Sequence, residues 1–422
     1  MSVGVRAGYK HTDVGVIPDD WEVKHLGELG RIVRGGSPRP AGDPRYFNGQ
    51  FTPWLTVAAL TNIPAHQLRV TETATSLTEE GSKLSRTLSK DTVIIANSGA
   101  TLGVAKLLDF TCCANDGIAA IVDHVAGDKE FVCFYVNTLT KHLREVIATG
   151  NGQPNLNTGL ISEIAIPFPR PPEQRAIATA LSDVDALLSG LDSLIAKKQN
   201  LKQAAMQQLL TGQTRLPGFS GEWEVQTMKS LGQTYGGLAG KTKEDFGHGS
   251  SKYIPFMNVM KDTLIDPDWL ENVDVAPSEA QNLAKKGDLF FNGSSETPEE
   301  VGFCSVLLAE IPSLYLNSFS FGFRFNSEAK VNGLFFAYWF RCADGRTTMS
   351  VLAQGATRYN ITKSAFMRLS IPQPTREEQT AIATVLSDID TELAALQARR
   401  DKTRALKQAM MQELLTGRIR LI

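Results

Sequence analysis

The chain is 422 residues long, with 42% apolar and 21% charged side chains, 35 Gly and 19 Pro. That composition excludes a disordered or fibrous polymer and, at ~150 residues per domain, implies two or three domains. Its 43 Lys and Arg against 45 Asp and Glu give a net charge of −2, which excludes a uniformly basic nucleic-acid coat but allows a local basic face.

Residues 1–166 read as an α+β unit. It is entered through Trp21-Glu22-Val23, and its alternating or apolar runs at 91–96 and 117–122, punctuated by Gly, Pro and Asn, are expected strands. An amphipathic stretch at 131–149 is an expected helix. The unit closes on Ile166-Pro167, and residues 167–216 change character. Pro172 and Glu173 suit a first helical turn. Ile177, Leu181, Val184, Leu188, Leu191 and Ile195 then step by 4, 3, 4, 3, 4, the seam of a coiled coil. Gly212, at the end of Leu-Leu-Thr-Gly, is where a left-handed cap is expected. At 1.5 Å per residue such a helix spans roughly 60 Å.

Residues 217–371 begin the pattern again. They open on Trp223-Glu224-Val225, carry expected strands at 287–291 and 319–325 and an expected helix at 331–343, and close on Ile371-Pro372. Residues 372–422 repeat the long helix. Residues 378–421 align on 173–216 without a gap, with 25 identities in 44 positions. Ile382, Leu386, Ile389, Leu393 and Leu396 keep the seam until Arg400 interrupts it, and Gly417 ends the helix. The globular halves match more faintly, at Asn115 with Asn317, Pro53-Trp54 with Pro255-Phe256, and Asn155 with Asn360. The chain is therefore a divergent unit, a near-identical helix, and both again. Two matched seams in one chain would pack most simply against each other, about a pseudo-two-fold axis.

Motifs for catalysis do not hold up. Gly236-Gly-Leu-Ala-Gly240-Lys241-Thr242 is one residue short of a phosphate-binding loop. Pro18-Asp19 with Glu22 and Lys24 has nuclease letters, but a gap of two residues cannot converge carboxylates on a metal. Gly247-His248-Gly249 is too short for a dinucleotide fingerprint. There is no G-x-S-x-G elbow, no amino-methyltransferase tetrapeptide and no H-x-x-x-H among the six histidines. The five cysteines (Cys112, Cys113, Cys133, Cys304, Cys342) form no C-x-x-C pair, so small buried thiols in a reducing compartment are expected. Without a long apolar run or a signal-peptide core, a cytoplasmic protein with no membrane partner is expected.

Paired Leu-Lys-Gln-Ala…Leu-Leu-Thr-Gly helices follow two divergent domains. Each domain is entered through Trp-Glu-Val and left through Ile-Pro-x-Pro and a Glu-Gln (166–174; 371–379). In this arrangement the whole chain resembles the DNA-specificity subunit of type I restriction–modification systems. The resemblance implies an α+β fold: two target recognition domains (1–166 and 217–371) separated by two spacer helices (167–216 and 372–422) packed as an antiparallel coiled coil. It implies double-stranded DNA as the ligand, an asymmetric bipartite target read one half per domain, and no catalysis in this chain. Two adenine-N6 methyltransferase subunits and restriction/translocase subunits would be the partners. S-adenosylmethionine, ATP and Mg²⁺ would belong to them, with no cofactor and no metal here.

Base edges are read by polar or planar side chains and phosphates by Arg and Lys. In the first half the loops of that composition supply Arg34, Ser37, Arg39, Asn97, Ser98, Thr101, Asn151, Gln153 and Asn155. In the second they supply Lys241, Thr242, Asn292, Ser294, Ser295, Thr357, Arg358, Tyr359 and Asn360. Gln153 and Asn155 suit adenine edges and Arg358 suits guanine. Because Asn155 and Asn360 recur at one place in both halves, holding the loop is the competing role. The lysines and arginines at 197–202 and 399–407 read mainly as solvated or subunit-docking surface. A related type II-like system is the neighbouring reading. A coiled-coil scaffold joining two ligand-binding domains is the reading from a different class, and a stand-alone nuclease or ATPase lacks its motifs.

Overall fold

A computed structural model describes residues 6–148 and 154–421. The chain divides into two compact units, Met1–Leu194 with Leu396–Ile422, and Ile195–Ala395. Each unit combines one globular domain with one half of each long helix.

In the first unit, five strands run in the order Arg31–Arg34, Ile118–Val122, Val93–Ala96, Ala105–Leu108 and Arg69–Val70. A second sheet orders Thr75–Leu77, Phe47–Leu55, Cys112–Ala114 and Arg86–Leu88. The strands at 93–96, 105–108 and 112–114 are buried throughout, so apart from Lys106 they read as apolar runs rather than alternations. The expected helix at 131–149 is broken. It runs as Lys129–Thr138, capped by Asp128, then Thr140–His142 and a π turn at Leu143–Ile147.

The entry and exit of the domain pair with each other. Glu22–His25 lies antiparallel to Ala165–Phe168, with Val23 opposite Pro167. Directly after it the first long helix runs Pro171–Leu209, and the second runs Arg376–Leu414. In this unit Asp185 meets Lys407 at 2.6 Å, while Asp192 meets Arg400 at 3.6 Å and Arg404 at 3.7 Å. As one number rises the other falls, so the helix halves are antiparallel. Ile177, Leu181, Leu188 and Leu191 are buried in the seam, and Val184 and Leu396 are half-buried.

The second unit repeats this plan. Its main sheet orders Gly232–Gly236, Ser320–Phe325, Leu289–Asn292 and Cys304–Val306, beside Glu271–Val273, Phe246–Ile254 and Leu314–Leu316. Entry strand Glu224–Thr227 pairs with exit strand Ser370–Gln373. Lys202 meets Asp390 at 2.5 Å and Lys198 meets Glu392, again antiparallel. Ile382, Leu386 and Leu393 are buried, and Ile389 is half-buried. Asp185–Lys407 and Asp390–Lys202 are the same ion pair made once in each unit. Many of the helix cations thus hold the helices together rather than standing free.

The repeated motifs meet at one junction in each unit. Buried Glu173 accepts from Trp21 Nε1 at 3.0 Å and from Arg420 Nη2 at 2.8 Å, and Arg420 also reaches Asp20. Buried Glu378 accepts from Trp223 Nε1 at 3.2 Å and from Arg215 Nε and Nη2 at 2.5 and 2.6 Å. The neighbouring Gln174 and Gln379 each accept from the backbone before the domain's helix and donate to a proline carbonyl. Gly212 and Gly417 are left-handed, at φ 73° and 69°. Beyond them Thr214 and Ile419 donate back to Gln208 and Glu413 at 3.1 and 3.2 Å. This return brings each arginine to its glutamate.

One expected correspondence is corrected by the strand register. Leu55 lies opposite Ala114 and Ile254 opposite Leu316, so Leu55 and Ile254 occupy the same place. Pro53-Trp54 and Pro255-Phe256 do not: the letters coincide while the strand ends are shifted. The halves also exchange a buried cation. In the first, Lys106 donates to Pro64 and Gln67 carbonyls at 3.0 and 2.5 Å. In the second, Ser305 stands at that place, and Arg341 donates to Val259, Met260 and Asp262 carbonyls at 2.8, 3.1 and 2.6 Å. In the second unit the cation holds carbonyls at the end of the helix Phe256–Lys261, and in the first it holds carbonyls of the loop that follows the helix Val57–Thr61. No described helix is long and apolar enough to cross a membrane.

Candidate nucleic-acid interface

In the first unit, three strand ends and one later loop gather around a cleft of about 610 Å³. Arg34 ends its strand opposite Ala119, and Asn97 and Ser98 follow Val93–Ala96. Asn115 and Asp116 form the turn before Ile118–Val122. Asn155 forms an antiparallel bridge to Ser98. Arg34, Ser98, Asn115, Asp116 and Asn155 all line the cleft.

Asp116 organises this corner. Its carboxylate accepts from Ser37 Oγ at 2.6 Å and lies 3.6 Å from Arg39, while its carbonyl accepts from Asn97 Nδ2 at 3.2 Å and from Arg34 Nε. The Ser37 hydroxyl first, then the charges of Arg34 and Arg39, hold its carboxyl below the ordinary carboxylate range. Arg86 donates to the Arg34 carbonyl at 2.7 Å. Gly35 permits the close approach, since a Cβ there would sit 2.1 Å from the Asn115 carbonyl. Arg34 and the highly exposed Arg39 face solvent at the rim, so the corner offers two exposed cations beside one carboxylate.

The second unit places its counterparts similarly. Ser294 and Ser295 pair with Asn360 and Tyr359, and the Ile361 amide donates to Gly293 at 3.1 Å. Gly237 matches Gly35, with a Cβ falling 1.9 Å from the Asn317 carbonyl. Asn317 is buried and donates to the Ile254 carbonyl. Exposed Arg358 has its guanidinium 5.9 Å from the ring centroid of Phe319.

The expected residues therefore fall into four groups. Arg34, Ser37, Arg39, Ser98 and Asn155 come together in the first unit, as do Ser294, Ser295, Arg358, Tyr359 and Asn360 in the second, with exposed Thr357 beside them. Asn97 and Asn292 sit beneath, 1% and 0% exposed. Asn292 spends its amide on the Glu300 carbonyl and the Phe303 amide. Thr101 Oγ1 is buried without a hydrogen-bond partner among the described residues. Lys241 and Thr242 are engaged elsewhere. Lys241 binds Glu279 at 2.7 Å and holds that carboxyl down to about 2, while Thr242 caps a short 3₁₀ turn through Asp245. Asn151 and Gln153 lie outside the described residues.

Sequence reasoning missed Asp116, Arg86 and Phe319. Asn115 and Asn317 were visible as a repeated pair, and the residues just after them were the signal left unread. Among the described residues, no three His, Cys, Asp or Glu side chains converge as a metal cage. The five cysteines are free and buried, and burial pushes the Cys112 thiol up to about 12.

Residues 18–202 and 222–403 each match the family described as type I restriction modification DNA specificity domain. The chain is 26% identical over 316 residues to the type I restriction enzyme MjaIX specificity subunit of Methanocaldococcus jannaschii, covering 69% of this chain and 70% of that protein. It is 24% identical over 425 residues to the MjaVIII specificity subunit of the same organism, covering 96% and 94%. Among solved structures, the type I restriction–modification S subunit from M. genitalium aligns with TM-score 0.58 at 15% identity, over 93% of this chain and 96% of that one. A second chain, from a structure addressing assembly of the type I system, aligns with TM-score 0.56 at 16% identity, over 96% and 99%.

Proposed function

The chain belongs to the type I restriction–modification DNA specificity family, a family of recognition rather than catalytic subunits, and from that premise we propose how its parts divide the work. Residues 1–166 and 217–371 are the two target recognition domains, each reading one half of a split, asymmetric sequence in double-stranded DNA. The observation that carries this is the Ser–Asn bridge at Ser98–Asn155 and Ser294–Asn360. The same scaffold is built twice, and the side chains around it differ: Arg34, Ser37, Arg39 and Asp116 in one domain, Arg358, Tyr359 and Phe319 in the other.

A shared scaffold with unlike edges suits a protein that must place two domains equivalently on DNA and still read two sequences. Rim arginines would take guanine edges, as Arg358 suits, or phosphates that set the register of their own domain. Ser98, Asn155, Ser295 and Asn360, paired beside those rims, would read base edges. Helices 167–216 and 372–422 supply two matched faces, with Leu201 exposed on the first and Leu406 on the second, for two adenine-N6 methyltransferase subunits. Restriction/translocase subunits would complete the complex, and S-adenosylmethionine, ATP and Mg²⁺ would act in those partners, in the cytoplasm.

Arg39→Ala and Arg358→Ala test the division. In the assembled methyltransferase complex, each is expected to weaken or relax recognition of one half-site only, and not the same one. If both variants disturb the same half, or neither disturbs either, the allocation is wrong.

A further inference from the structure

Of the phenylalanines at 319, 321, 323 and 325, the last three pack into the core of the second unit, where Phe291 and Phe321 stack at 5.2 Å. Phe319 does not, and is 59% exposed. A lone exposed phenylalanine needs no explanation in general, but this one is held in place. Its amide donates to Asn317 Oδ1 at 3.0 Å and its carbonyl accepts from Gly293 at 3.0 Å. Asn317 is itself pinned to the Ile254 carbonyl. Gly293 accepts from Ile361, next to Asn360. On a backbone held at both its amide and its carbonyl, an apolar ring therefore stands in the middle of the polar loop cluster, with the Arg358 guanidinium beside it.

The first unit cannot present such a ring. Gly117 holds the matching place, two residues after Asn115 as Phe319 is two after Asn317. A Cβ on Gly117 would fall 2.4 Å from Val57 and 3.0 Å from Ser98 Oγ. The two domains thus differ in kind at this point, one polar and closed, the other apolar and projecting.

Resting on the DNA-reading function above, we propose that Phe319 is a specificity-determining residue that contacts the C5-methyl group of a thymine in the half-site read by the second domain. In an intact duplex the thymine methyl is the apolar group that the major groove displays. Contact with it needs no unstacking of the bases, and a cation beside the ring suits the neighbouring polar edge or phosphate. The first domain, with Gly117, reads its half-site without a methyl contact at that place.

The test uses the chain in complex with its methyltransferase subunits and the target found by mapping its methylation. Thymines of the target are replaced one at a time by deoxyuridine, which lacks only the methyl, and binding is compared at fixed salt for wild type and Phe319→Ala. At one thymine of one half-site, the substitution is expected to weaken wild-type binding about four-fold, the ratio that burying one methyl group corresponds to. In Phe319→Ala it should have no effect, while the melting temperature stays unchanged because the ring is exposed. The proposal is overturned if deoxyuridine is tolerated throughout, if the target half-site has no thymine, or if Phe319→Ala still distinguishes the two bases. Loss of binding in the variant with full tolerance of deoxyuridine would also overturn it, pointing to a ring stacked on bases. If wild type has no split target at all, it is the DNA-reading function that fails instead.

Discussion

At the scale of residues, buried charge is used to tie distant parts of the sequence together. Glu173 and Glu378 are each 1% exposed, and each receives a tryptophan from the start of its domain and an arginine from the end of a long helix. Removing the negative charge leaves those donors poorly matched, and hydrogen bonds to charged groups contribute about 1.5–3 kcal/mol each. Glu173→Gln or Glu378→Gln should lower unfolding free energy by about that amount in denaturant titrations, with no change in far-UV spectrum; an unchanged midpoint would deny the junction its role. Lys106 makes a second case. Burial pushes its ammonium down to about 8, below the ordinary lysine value. Between that pH and the normal lysine range the unfolded chain binds more protons than the folded one, so this residue makes stability rise with pH there. The buried thiols act in the opposite sense, so the quantity to read is the difference from Lys106→Met, which should lack the rise. Trp-Glu-Val, Glu-Gln and Leu-Leu-Thr-Gly were legible as repeated words in the sequence. That they converge on one carboxylate was not, because the contact joins residues as far apart as Trp21 and Arg420.

At the scale of elements, the long helices were the most legible because a 3.5-residue apolar period has few other meanings. Both run 39 residues, and the seam positions named from spacing are buried or half-buried. Strands were harder. Val93–Ala96 and Ile118–Val122 were visible as apolar runs, whereas Arg69–Val70 or Thr75–Leu77 are too short to leave a pattern. The break in the expected helix at 131–149 was hidden for another reason: the amphipathic period continues through a turn whose backbone changes from α to π. If the paired helices set the spacing between half-sites, inserting one turn of ~5.4 Å in both should lengthen the recognised gap by ~1.5 base pairs at ~3.4 Å per base pair. A folded, DNA-binding variant with the original gap would contradict that.

At the scale of the molecule, the repeat is uneven in an informative way. The parts that agree, helix seams, ion pairs and junctions, build the frame; the parts that differ, Asp116 against Ser318 or Gly117 against Phe319, stand at the loop clusters. The candidate site was only partly legible, since composition picked out loops that gather in each unit but could not tell an exposed Arg39 from a Lys241 already held by Glu279. A net charge of −2 limits how many phosphates the chain alone can neutralise. Its isolated DNA affinity should accordingly be modest and fall with salt less steeply than that of the full complex. Recognition of a split target by this chain is tested most directly by mapping N6-methyladenine in its native genome by single-molecule sequencing, with and without its gene. A bipartite asymmetric motif that is methylated with the gene and disappears without it is the expected result. With the methyltransferase partner demonstrably active, a methylation pattern indifferent to the gene would contradict the assignment.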